Sequence, residues 1–125
     1  MPHPSIVCIL AILCFALPVS AQADTFMGPW ARGDGIVRAT IAPCGSKLCM
    51  TDTWIKPGVA DEKVGDKVVF DVKPQSDGTL KGSGFDPQRN LKFSVVLKVS
   101  GDRMTTSGCG FGGLVCKSQD WTRIR

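Results

Sequence analysis

Residues 91–99 read "LKFSVVLKV". Apolar side chains hold every odd position, while Lys92, Ser94 and Lys98 hold even ones. Successive side chains of an extended chain point to opposite faces, so this spacing predicts a strand with one buried face. The same period recurs upstream. Val68, Phe70 and Val72 oppose Lys67, Asp71 and Lys73, and Val37, Ala39 and Ile41 oppose Arg38 and Thr40.

Turn signals separate these runs: "RGDG" (32–35), "APCGSK" (42–47), "KPG" (56–58), "VGD" (64–66), "QSDG" (75–78), "DPQRN" (86–90), "SGD" (100–102) and "CGFGG" (109–113). Gly, Asp-Gly and Pro supply the backbone angles of tight reversals. The punctuation predicts eight strands, over 26–32, 35–42, 48–56, 67–73, 79–85, 90–99, 102–109 and 115–124. Only "VADEKV" (59–64) has the composition for a helical turn. The expected fold is all-β, a small antiparallel up-and-down barrel, since closure removes exposed strand edges. Periodicity alone leaves a two-sheet sandwich as the alternative.

Closure requires the first and last strands to pair. The first carries "GPWAR" (28–32) and the last "DWTRI" (120–124). Alternation puts Trp121 and Arg123 on one face, and Trp30 and Arg32 on one face. Paired ends would lay Arg123 over the Trp30 ring, a contact of about 0.5–2 kcal/mol, with Trp121 packed nearby.

The chain begins with an apolar run, "IVCILAILCFAL" (6–17), followed by Pro18, Ser20 and "AQA" (21–23). This is the pattern of a secretory signal, expected over 1–23 with cleavage after Ala23. The run is shorter than the ~20 residues of a membrane span. Residues 24–125, roughly 100 in number, would form one domain with a modest core, located in the periplasm or secreted. Its four cysteines, Cys44, Cys49, Cys109 and Cys116, allow three pairings. Pairing Cys44 with Cys49 and Cys109 with Cys116 is the simplest, each closing a short loop and contributing roughly 2 to 2.5 kcal/mol on the chain-entropy model. A zinc site is the competing reading, without a histidine to help it.

The chemistry is restricted. The chain has one histidine, His3, and no tyrosine. After cleavage no Ser-His-Asp or Cys-His arrangement and no His-based metal centre can form. Carboxylates such as Asp34, Asp52, Glu62 and Asp86 remain, but their spacing singles out no pair. The net charge of +4 is scattered rather than striped, and aromatics are not interleaved with it, which argues against a nucleic-acid partner. No cofactor and no enzymatic activity are expected.

Gly28-Pro29-Trp30 resembles the G-x-W signature of lipocalins and their calycin relatives, in which an arginine of the last strand packs across the tryptophan. Arg123 is the matching position. The mature part as a whole is similar to a bacterial exported family, the domain of unknown function 2147 (DUF2147) family. The similar features are the G-x-W segment, Asp34-Gly35 leading into a strand, and Cys44 with Leu48-Cys49. Phe85-Asp86-Pro87, Gly108-Cys109, Cys116 and Trp121-Thr122-Arg123 follow in the family's order. The chain departs from the family at Met50, where a glycine is frequent, and at "KGSGF" (81–85), where the family is Trp-rich. The resemblance implies a lipocalin-like barrel of the cell envelope.

Two functions are carried forward. The first is a non-catalytic barrel for a small apolar or amphipathic ligand. Its interior would hold Val37, Ile41, Met50, Trp54, Val68, Phe70, Leu80, Phe93, Val95, Leu97 and Met104. An eight-stranded barrel can instead be filled by its own side chains, and Gly82 and Gly84 fit a cavity or a sharp bend equally. The second is a protein-binding module, such as a protease-inhibitor-like barrel, meeting an envelope partner through residues 24–27 or the 57–66 loop. Gly28, Trp30, Trp121 and Arg123 are read as structural closure in both cases.

Overall fold

The computed structural model describes residues 23–125; the expected signal segment falls outside them, Ala23 apart. Eight strands follow a short 3-10 turn at Asp24–Phe26: β1 Gly28–Arg32, β2 Val37–Cys44, β3 Lys47–Ile55, β4 Lys67–Pro74, β5 Leu80–Asp86, β6 Leu91–Ser100, β7 Arg103–Gly110 and β8 Val115–Arg123. Each pairs antiparallel with its neighbour in sequence, and β8 pairs with β1, so the sheet is a closed barrel. The sandwich alternative is thereby excluded. A second 3-10 turn, Phe111–Gly113, tops the β7–β8 hairpin.

Up-and-down order gives the barrel two unlike ends. One carries the chain termini and the tight reversals at 45–46 and 101–102, and it is plugged. Phe26 and Trp30 are fully buried there, and the Trp30 indole Nε1 donates to the Phe26 carbonyl at 2.9 Å. Trp30 stands opposite Arg123, and Arg32 opposite Trp121. The Arg123 guanidinium lies 4.3 Å from the centre of the Trp30 ring. It also donates to the carbonyls of Met27 at 3.2 Å and Thr25 at 2.7 Å. One side chain thus satisfies the 3-10 turn's carbonyls and covers the indole, tying both chain ends into the seam.

Both local disulfides are formed, Cys44–Cys49 and Cys109–Cys116. Each bridges the two strands of one hairpin, β2–β3 at the plugged end and β7–β8 at the other. The expected helical turn at 59–64 is absent; residues 56–66 form an irregular connection. A segment so short cannot repay helix nucleation, and tertiary bonds claim its polar groups instead. The Gly65 amide donates to the Asp52 carbonyl at 2.9 Å, and the Asp66 carbonyl accepts from the Asp52 amide at 2.8 Å.

Candidate functional site: an apolar cavity with a charged end

Inward-facing positions divide into a packed region and an empty one. Val37, Ile41, Leu80, Leu97 and Met104 are at most 1% exposed and belong to the closed core. Met50, Val68, Phe70, Phe93 and Val95 instead line a cavity of about 420 Å³, within the ~300–1,000 Å³ range of small-molecule sites. Apart from Val37 beside the 33–36 loop, the packed group lies toward the plugged end, and the hollow lies toward the other. Ten of the eleven expected interior residues face inward, in two groups of five with different environments.

Trp54 is the correction. Arg38 pairs with Trp54 and Ala39 with Asp52, so Thr53 is an extra residue on β3. Such a bulge reverses the alternation beyond it. Ile55 turns toward the core, and Trp54 emerges on the outer surface at 38% exposure, stacked under Arg38 at 5.1 Å.

Three strand glycines are explained by close packing. A Cβ on Gly84 would sit 2.5 Å from the Phe93 ring, and one on Gly108 would sit 3.1 Å from it. The ring therefore lies flat in the space the two glycines leave, against the wall and out of the bore. A Cβ on Gly82 would collide with the Asp71 carbonyl, so that glycine permits close approach of β4.

The cavity wall also contains residues that hydrophobic patterning passes over: Thr106 on β7, and Lys117, Gln119 and Trp121 on β8. Their signal was the period of two counted back from Trp121, obscured because Lys117 and Gln119 are polar. Trp121 is 6% exposed, and its indole Nε1 donates to the Thr106 hydroxyl at 3.0 Å. It belongs to the seam through its pairing with Arg32, and to the cavity through its ring.

Met50, Val68 and Trp121 are shared with a second, smaller cavity of about 210 Å³. Its other walls are charged: Arg32, Asp52, Glu62, Asp66, Lys67, Asp86 and Arg89, with Gln88. The Arg32 guanidinium is 12% exposed and bonds Glu62 and Asp34, both at 2.8 Å. It stands 6.0 Å from the Trp121 ring centre. Arg89 bonds Asp86 at 2.8 Å and reaches the Asp61 carbonyl at 2.5 Å. Two arginines thus pin the 57–66 loop over this cavity.

Of the four candidate carboxylates, Asp52 and Asp86 behave oppositely. Burial, a hydrogen bond with Glu62 and the charges of Glu62 and Asp66 push the Asp52 carboxyl up to about 7. Burial works against the charge of Asp86 too, but bonds from Arg89 and Gln88 outweigh it and hold that carboxyl below its usual range. Below about pH 7 Asp52 is therefore protonated and donates to Glu62, at the edge of a cavity whose other end is apolar. Among the described residues, no group of three or more His, Cys, Asp or Glu is placed to hold a metal ion.

A family model described as "Uncharacterized protein conserved in bacteria (DUF2147)" matches residues 28–123. The chain belongs to the DUF2147 family. The match spans the barrel from the first residue of β1 to the last of β8, so the seam of this DUF2147 protein lies inside the family's boundaries. No curated protein matches the chain. The solved structure of a redesigned β-barrel, b11L5F_LGL, is similar to it with a TM-score of 0.54 at 16% identity, covering 83% of this chain and 96% of that one. At that identity the likeness concerns the fold alone.

Proposed function

We propose that this DUF2147 protein is a non-catalytic, lipocalin-like binding barrel that holds one small apolar or amphipathic molecule in the bacterial cell envelope. The observation that carries the reading is the position of the cavity. It is apolar, lies inside the barrel, and reaches the end opposite the Trp30–Arg123 plug. An amphipathic ligand places its chain against Phe70, Phe93 and Val95 and its polar end toward Asp52 and Arg32. Asp52 and Arg32 stand at fixed positions there, and fixed polar groups in an apolar pocket set orientation. The signal-like residues 1–23 and the two disulfides support an exported, oxidising location, the periplasm or outside the cell.

The protein-binding alternative has less support. Phe26 is buried, the carbonyls of Thr25 and Met27 are engaged by Arg123, and the 57–66 loop is held by Arg32 and Arg89. Neither segment is free to lead an interaction. Native mass spectrometry of protein purified from its own envelope tests the choice. A co-purifying lipid-like mass is expected; a stable protein partner with no small-molecule mass would contradict the reading.

A further inference from the structure

The exposed large hydrophobic side chains of the described residues all lie toward the open end of the barrel. The most exposed form one projection, the tip of the β7–β8 hairpin. Phe111 is 73% and Leu114 87% exposed. Residues that large are not left in water at a loop tip without consequence. The backbone holds them there: Phe111 adopts a left-handed φ of 53°, and Gly112 and Gly113 continue with positive φ. The Cys109–Cys116 disulfide clamps the hairpin directly beneath.

Charge around the rim is divided. Over loops 33–36, 56–66 and 87–90 the charges are of both signs: Arg32 is bonded to Asp34 and Glu62 and Arg89 to Asp86, and Asp61 and Lys63 are exposed. Beside the hairpin tip the exposed charges are Lys92 on β6 and Lys117 on β8. No carboxylate occurs on β6 or β7, and the one on β8, Asp120, lies toward the far end. An apolar projection flanked by cations alone is the pattern of an interfacial anchor, in which apolar side chains enter the acyl boundary and lysines meet anionic headgroups. Phe111 and Val115 also line the cavity, so the projection and the bore share one apolar wall.

We propose that the hairpin tip, Phe111 and Leu114 flanked by Lys92 and Lys117, docks this barrel on an anionic lipid surface with its open end toward the bilayer. Docking stands on the tip alone. The further consequence, that a ligand passes between bilayer and bore without crossing water, rests on the proposed binding function.

The test is co-sedimentation of the disulfide-intact chain with vesicles of roughly three parts phosphatidylcholine to one part phosphatidylglycerol. Partitioning is expected, reduced about tenfold in pure phosphatidylcholine and about tenfold by Leu114→Asp. Leu114 does not line the cavity, so Leu114→Asp leaves binding of a soluble fluorescent fatty-acid analogue unchanged. Charge reversal at Lys92, checked for folding by circular dichroism, weakens partitioning to the anionic vesicles only. Absence of wild-type partitioning, or equal partitioning of Leu114→Asp, overturns the proposal. A dimer in sedimentation velocity that Leu114→Asp dissolves overturns it as well, assigning the tip to a second copy of the chain. Vesicle docking without fatty-acid binding would leave the docking surface standing and remove the binding function.

Discussion

Arg123 and Trp30 face each other directly across the β8–β1 seam, the guanidinium 4.3 Å from the centre of the indole ring. The contact joins the last strand to the first and is backed by two hydrogen bonds to the turn that precedes β1. It is the point where a linear meander becomes a closed barrel.

Arg123→Ala removes a cation–π contact of about 0.5–2 kcal/mol and leaves two carbonyls without their donor. In a domain of this size each kcal/mol corresponds to roughly 4–8 °C in Tm. A drop of at least about 5 °C is expected by thermal denaturation. Arg123→Lys recovers only part of it, since an ammonium lacks the planar fork that reaches both carbonyls. A Tm within error of wild type for the alanine variant contradicts the role of the seam.

Peptide mapping without reduction should recover two linked pairs, Cys44–Cys49 and Cys109–Cys116. Replacing either pair by serine costs roughly 2 to 2.5 kcal/mol on the chain-entropy model. Loss of the second pair also loosens the tip, and so weakens vesicle docking more than loss of the first.

Asp52 sets a pH dependence of definite sign. Its carboxyl is raised from an ordinary value of 3.8 to about 7 in the folded chain, so the folded state binds the extra proton between those values. Its stabilising contribution is complete below about pH 4 and is lost as pH rises through 7. Asp86, held low, acts in the opposite sense and loses its contribution as pH falls below its unfolded value. Tm should therefore decline between about pH 4.5 and 8. Asp52→Asn should flatten that decline, a difference of about 1–2 kcal/mol at pH 8 after solvent screening. Equal slopes for the two proteins would show that Asp52 does not titrate as described.

Gly84→Ala tests the open bore. The added methyl would stand 2.5 Å from the Phe93 ring, and the ring's escape is inward. Overpacking of this kind costs about 1–3 kcal/mol. Ligand capacity should fall along with Tm. The double variant Gly84→Ala/Phe93→Leu, with a smaller side chain, should recover binding.

Much of this was legible in the sequence, for local reasons. Alternation on β2, β4 and β6 and the turn residues between strands define the meander, and the aromatic-basic pairs at the two ends define its closure. Four features needed the folded chain. Thr53 is one unmarked residue in a strand, yet its bulge carries Trp54 outward. Lys117 and Gln119 face the cavity from an edge where polar side chains reach solvent, so hydrophobicity does not report their direction. Asp52 and Glu62 meet only because a connection without regular structure folds back, and no spacing rule anticipates that. Phe111 read as part of a turn; its exposure depends on a left-handed backbone that only the folded hairpin displays.

The central claim is that the hollow half of the barrel holds a ligand, and Val68 is the residue to challenge. It lines both the apolar and the charged cavity, so Val68→Trp fills their junction from a partly exposed position. A fluorescent fatty-acid analogue titrated into wild-type protein should bind saturably, with about one site per chain, and binding should be lost in a folded Val68→Trp variant. No saturable binding by wild type, or equal binding by the two proteins, would contradict the account.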